Sequence, residues 1–158
     1  MERTPLIEAM KTSISDVLET MFFMPLEFSD PVELGPYVED PAKELLGSKL
    51  DFGGPFSGSI FLLLPSGLAQ VMTANFLGEE KERVTRNQVT DTIKEIVNMI
   101  TGKMFSVYDH EAIFELGLPV IIDPPEALAE RPAGAEDEIL ISVDTVDASL
   151  VVKMTLNS

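Results

Sequence analysis

Between Leu6 and Met24 the apolar residues Leu6, Ile7, Met10, Ile14, Val17, Leu18 and Met21 recur at helical spacing, and Pro25 ends the run. A first amphipathic helix is predicted there. From Pro25 to Ala42 the period is lost among acids and the prolines Pro25, Pro31, Pro36 and Pro41, which predicts a connection that is extended at most. Alternation sets in from Ser48 to Gly53, with Leu50 and Phe52 on one face. Gly53-Gly54-Pro55 breaks the chain, and Ser57 to Leu64 ends in the run Ile60 to Leu64. This pattern predicts a β-hairpin whose second strand is buried. Pro65-Ser66-Gly67 then opens a short helix carrying Leu68, Val71, Met72 and Phe76, and Gly78 closes it.

The strongest periodic signal follows, from about Asn87 to Phe105, where Val89, Ile93, Ile96, Val97, Ile100 and Met104 form one apolar stripe. Beyond it the sequence predicts a strand running into Leu118 to Ile122 and a Pro/Ala/Gly-rich loop from Asp123 to Ala135. A terminal hairpin then pairs Glu138–Val143 with Ala148–Leu156 through a turn at Asp144 to Asp147. The fold class is therefore α/β, of the α+β kind: a mostly antiparallel sheet packed against two long helices. Each half runs helix, proline-bearing connection, hairpin. Ser15-x-x-x-Glu19-x-x-Phe22 aligns with Asp91-x-x-x-Glu95-x-x-Asn98, the trace of a weak internal repeat or of two ordinary amphipathic helices that happen to match.

Length and composition narrow the setting. At 158 residues and 45% hydrophobic, the chain suits one domain, residues 1–158, with a core that needs no staple. It has no cysteine, so disulfides and thiolate metal sites are excluded. Met1 to Pro5 lacks a secretory pattern, and no stretch approaches the roughly 18 uninterrupted apolar residues of a membrane span, which predicts a cytoplasmic protein. A formal charge of −16 without a concentrated basic patch argues against nucleic acid and anionic membranes as partners. The acidic runs Glu79-Glu80 and Glu136-Asp137-Glu138 read as solvated charges, since the alternating oxygen ligands of a calcium loop are missing.

The polar side of the long helix is the candidate site. At about 100° per residue, Asp91, Glu95, Asn98 and Gly102 share an arc of roughly 60°, opposite the apolar stripe. Gly102 costs that helix roughly 1 kcal/mol relative to alanine and lets another surface approach its backbone. Asp91 serves either as a supporting contact or as a favourable charge near the helix start. His110, the only histidine, reads as a loop-end residue. Gly53-Gly54 and Gly58 lack the strand-to-helix setting and the lysine of a nucleotide loop, and the eight methionines read as core filling.

Asp91-x-x-x-Glu95-x-x-Asn98, its continuation Met99-Ile100-Thr101-Gly102, and the later Leu118-Pro119 and Pro124-Pro125 resemble the signature of the CheC/CheX chemotaxis phosphatases, the CheX branch more closely. The likeness extends to Val17-Leu18-Glu19-Thr20-Met21 in the first helix. Two departures stand out: slightly fewer residues separate Asn98 from Pro119 than the family spacing asks for, and Phe22 occupies the position where a second site needs asparagine.

The resemblance implies hydrolysis of the aspartyl phosphate on a CheY-like response regulator. Glu95 and Asn98 are then the catalytic residues, with Asp91 and Gly102 supporting or docking. An amide can both accept from and donate to a water, which suits Asn98 to orient the nucleophile. Glu95, an anion, suits a cation of the partner, and the resemblance makes that cation the regulator's active-site lysine. No cofactor is expected on this chain, and Mg2+ is expected on the regulator. The resemblance also implies a homodimer joined edge to edge through sheets, with the Ile/Val-rich terminal hairpin as a compatible edge. A non-catalytic adapter of the same fold that binds phosphoregulator, and a purely structural dimer, are the other readings.

Overall fold

Helix α1 (Arg3–Met21) carries Leu6, Met10, Ile14 and Leu18 into the core at the spacing its sequence requires. It is followed by β1 (Leu26–Ser29), β2 (Leu45–Gly53), β3 (Gly58–Pro65), α2 (Ser66–Leu77), a 3-10 turn (Lys81–Arg83) and α3 (Arg86–Tyr108). The short strands β4 (Glu115–Leu116) and β5 (Val120–Ile122) and the hairpin β6 (Glu138–Thr145) and β7 (Ser149–Leu156) complete the order. The structure, a computed structural model, describes residues 2–29, 44–123 and 138–157. The expectations for Pro31, Pro36 and Pro41, for Pro124-Pro125 and the rest of the loop to Ala135, and for Glu136-Asp137 lie outside the described residues.

Among the described residues seven strands form one antiparallel sheet ordered β1-β6-β7-β3-β2-β4, with β5 also pairing β2. The order makes the internal repeat visible. Hairpin β2–β3 and hairpin β6–β7 meet through β3 and β7, where Ile60 faces Met154 and Leu62 faces Val152. Each long helix leads into a strand that pairs with the other half's hairpin: β1 with β6, and β4 and β5 with β2. Exchanging the halves reverses the sheet order onto itself, and α2 and the 3-10 turn are without a counterpart among the described residues.

Because successive side chains of a strand point to opposite faces, one face of the sheet supplies Leu50, Phe52, Ile60, Leu62, Leu64, Val152 and Met154 to the core shared with α1 and α3. On the other face Leu63 and Val151 form a smaller cluster with Ile122 and Leu140. Phe61 there lies between two ammonium groups, with Lys153 at 5.1 Å and Lys49 at 5.5 Å from its ring centre.

One expectation is overturned. The terminal hairpin is not an edge: β6 lies between β1 and β7, and β7 between β6 and β3. Its Ile/Val content is that of a strand pair buried inside a sheet, a pattern that periodicity does not distinguish from an edge awaiting cover. Among the described residues the outer strands are β1 on one side and β4 and β5 on the other. Two glycines of the first hairpin, Gly54 and Gly58, serve close packing. Gly54 sits at φ +143, where a Cβ would stand 2.7 Å from the Ile113 carbonyl, and a Cβ on Gly58 would collide with the Thr155 carbonyl.

Candidate functional site

Helix α3 begins at a cap that the apolar pattern alone did not reveal. The Thr85 hydroxyl accepts from the Gln88 backbone N–H at 3.1 Å, and Gln88 Oε1 accepts from the Thr85 N–H at 2.9 Å, a reciprocal capping box that satisfies two helix-end donors. Beside it the Arg86 guanidinium reaches Glu44 at 2.6 Å, tying the first turn to the start of β2. The hydrogen bond and charge of Glu44 raise the pKa of Arg86 above its ordinary value. Two buried hydroxyls then hold the underside of the helix. Ser48 on β2 donates to the Ile93 carbonyl at 2.8 Å, and Ser13 on α1 donates to the Ile100 carbonyl at 2.6 Å. With Ile93, Ile96, Val97, Ile100 and Met104 all buried, the rotation of α3 about its own axis is determined.

That rotation turns the opposite row outward. Asp91, Glu95 and Gly102 are exposed and Asn98 is half-buried. Asp91 makes a loose ion pair with Lys94, 3.8 Å apart. No described contact engages the Glu95 carboxylate or the Asn98 amide in a hydrogen bond or ion pair. A Cβ on Gly102 would meet only Leu116 Cδ1 at 3.9 Å, so no neighbour within the described chain demands glycine there.

A hollow flanks each end of the row. One, of about 470 Å³, lies between the ends of α1 and α2 and the first half of α3, and is lined by Met21, Phe76, Leu77, Gln88, Asp91, Thr92, Glu95 and Met99. The other, of about 240 Å³, is lined by Gly102, Phe105, Ser106, Asp109, His110, Ala112, Phe114 and Leu116. Stacking of Phe114 on Phe105, 3.9 Å between centres, holds its outer wall. His110 is exposed at the far end of the helix, as a loop-end residue would be. Sequence reasoning missed Met21 and Met99 as lining residues. As methionines both read as core filling, and only the ends of three elements meeting in space make them walls.

The aligned positions on α1 differ. Glu19 is exposed and Ser15 half-buried, but Phe22 is completely buried and stacks on Phe76 with centres 5.1 Å apart. Chemically, the α3 row offers a carboxylate that can receive a cation beside an amide that can hold a water at both ends. Among the described residues no group of three or more His, Cys, Asp or Glu is placed to hold a metal ion, and no helix is long and apolar enough to cross a membrane.

A family model described as chemotaxis phosphatase CheX matches residues 46–143, more than half of the chain and all of α3. No curated protein matches the sequence. Among solved structures, the chemotaxis protein CheX of Vibrio vulnificus is similar at 20% identity, covering 99% of each chain with a TM-score of 0.77. A CheX of Borrelia burgdorferi, solved in complex with CheY, BeF3 and Mg2+, is similar at 18% identity, covering 99% of this chain and 100% of that one with a TM-score of 0.77. The CheX of Desulfovibrio desulfuricans gives 18% identity, 96% and 99% coverage and a TM-score of 0.72. At these identities the structural likeness speaks for the fold.

Proposed function

Since the chain belongs to the CheX family of chemotaxis phosphatases, we propose that it hydrolyses the aspartyl phosphate of a CheY-like receiver domain through Glu95 and Asn98. The observation that carries this reading is the outward row of α3, where an exposed carboxylate and a half-buried amide stand uncommitted among the described residues on a helix braced from beneath. The Borrelia burgdorferi relative solved with CheY supports the choice of partner.

In the reaction a water oxygen bonds to phosphorus while the bond from phosphorus to the receiver's carboxylate oxygen breaks. The products are inorganic phosphate and the free aspartate, and the water's proton passes to the phosphate or the solvent. An amide is no base at neutral pH, so Asn98 contributes orientation. Its carbonyl oxygen accepts from the water and its NH2 donates, aligning the nucleophile with the bond that breaks. Glu95 docks on the receiver's active-site lysine. A charge-assisted hydrogen bond in a partly dried interface is stronger than an exposed pair, and it draws the lysine away from the phosphate. Asp91 adds negative charge one turn earlier, and the bare backbone at Gly102 admits close approach. Mg2+ travels with the receiver and neutralises phosphoryl oxygens there. The same reading includes a homodimer, for which the exposed Leu118, Val120 and Ile121 make the β4 and β5 side the apolar edge.

The test is the lifetime of a phosphorylated receiver mixed with the wild-type chain or with Asn98→Ala. Turnover is expected to fall by roughly 100-fold or more, the scale on which lost positioning acts. Wild-type turnover by the variant would refute the role of Asn98. Tight binding by the wild type with no shortening of the phosphoryl lifetime would make the protein an adapter.

A further inference from the structure

We propose that the hollow beside Glu95 is a selectivity pocket that takes an apolar side chain standing next to a basic one on the receiver's docking surface; the proposal rests on the reading above that a receiver is the partner. The hollow and the candidate site are one surface, since Asp91 and Glu95 border the hollow while Met21, Phe76, Leu77 and Met99 supply its apolar lining. Its volume of about 470 Å³ is ample for a large side chain. Met21 and Leu77 are 41% and 42% exposed, apolar surface left facing water at the border of the site.

The walls are built before any partner arrives. Phe22 is buried and stacks on Phe76, and the Asn75 side-chain amide donates to the Phe22 carbonyl at 2.9 Å, locking the end of α1 to the end of α2. The residue standing where a second catalytic asparagine would be expected thus braces a wall of the pocket beside the first site. A preformed apolar pocket contributes affinity without an ordering cost, and methionine walls adapt to the shape of the side chain they receive.

Charge selects the occupant. Glu95, with no ion-pair partner among the described residues, and Asp91, only loosely paired with Lys94, border the hollow on a chain of net charge −16, so an acidic segment is repelled and a basic residue flanking the apolar anchor is drawn in. The apolar lining therefore acts on which receivers bind, Glu95 borders both the hollow and the docking site, and Asn98 acts on what happens to the phosphoryl group.

The experiment uses the full chain, a panel of receivers activated with beryllofluoride and Mg2+ for affinity, and the same receivers phosphorylated for turnover. Leu77→Glu places a third carboxylate in the apolar lining at a partly exposed position. It is expected to weaken binding and raise KM by about tenfold, as loss of an interface anchor does, with kcat within about twofold of wild type. Met21→Gln, which keeps the side-chain length and adds no charge, gives the same readout should Leu77→Glu fail to fold. Wild-type KM and affinity in the folded variants would overturn the pocket and leave the phosphatase reading intact. Weaker binding by the variants, alongside a wild type that binds without hydrolysing, would support the pocket and overturn the phosphatase reading. A wild type that binds no activated receiver in the panel overturns both.

Discussion

The hydroxyl of Ser13, in the middle of α1, donates to the carbonyl of Ile100 on α3 at 2.6 Å, and both residues are buried. This bond joins the two long helices directly beneath the turn that carries Asn98. Ser13→Ala removes the donor without creating a large cavity. The expected loss is about 1 kcal/mol, read as a fall in thermal midpoint of about 2–4 °C for a chain of this size. A midpoint unchanged by the substitution would show that the bond adds nothing beyond packing.

The capping box at Thr85 gives the second prediction. Thr85→Ala leaves the Gln88 N–H without its side-chain acceptor, which should cost about 1 kcal/mol. Hydrogen exchange should quicken at the first-turn amides of α3 and stay unchanged near Ile100. Uniform acceleration along the helix would mean that the cap supports more than the first turn.

Gly102 separates stability from function. Its added Cβ would make only an ordinary contact with Leu116, so Gly102→Ala should stabilise the protein by roughly 0.5–1 kcal/mol through helix propensity. On the proposed docking face the same methyl group obstructs approach, and KM for the phosphorylated receiver should rise about threefold or more. A variant that is more stable with an unchanged KM would remove Gly102 from the docking surface.

Phe22→Asn places an asparagine at the end of α1, where a second site would need one. The ring it removes is fully buried against Phe76, so the expected result is a loss of about 3–5 kcal/mol and no second active site. Calorimetry on Phe22→Asn reads the loss. A folded variant with doubled turnover would contradict it.

Much of the fold was legible because the relevant signals are local. The stripe from Val89 to Met104 located α3 to within a few residues, and the alternation at Leu50 and Phe52 together with the Gly53-Gly54-Pro55 break located the first hairpin. The terminal hairpin was located by the same local signals, but its place in the sheet was not, for the opposite reason. Ile139, Ile141, Val151 and Val152 are apolar whether their strand is central or at an edge, and strand order depends on pairing between distant segments such as β3 with β7. The capping box is written in the sequence as Thr85-x-x-Gln88, a local signal that lies outside the apolar period.

By itself the sequence determined the angular relation of Asp91, Glu95, Asn98 and Gly102, because 3.6 residues per turn is a property of any α-helix and asks nothing of the rest of the chain. Only the tertiary structure decided that this row turns away from the core with Glu95 and Asn98 uncommitted among the described residues, that Phe22 turns inward, and that Met21, Leu77 and Met99 converge beside Glu95. Those outcomes depend on which surfaces α1, α2 and the sheet bury against α3, and burial is settled between segments far apart in the chain, where no local period reaches.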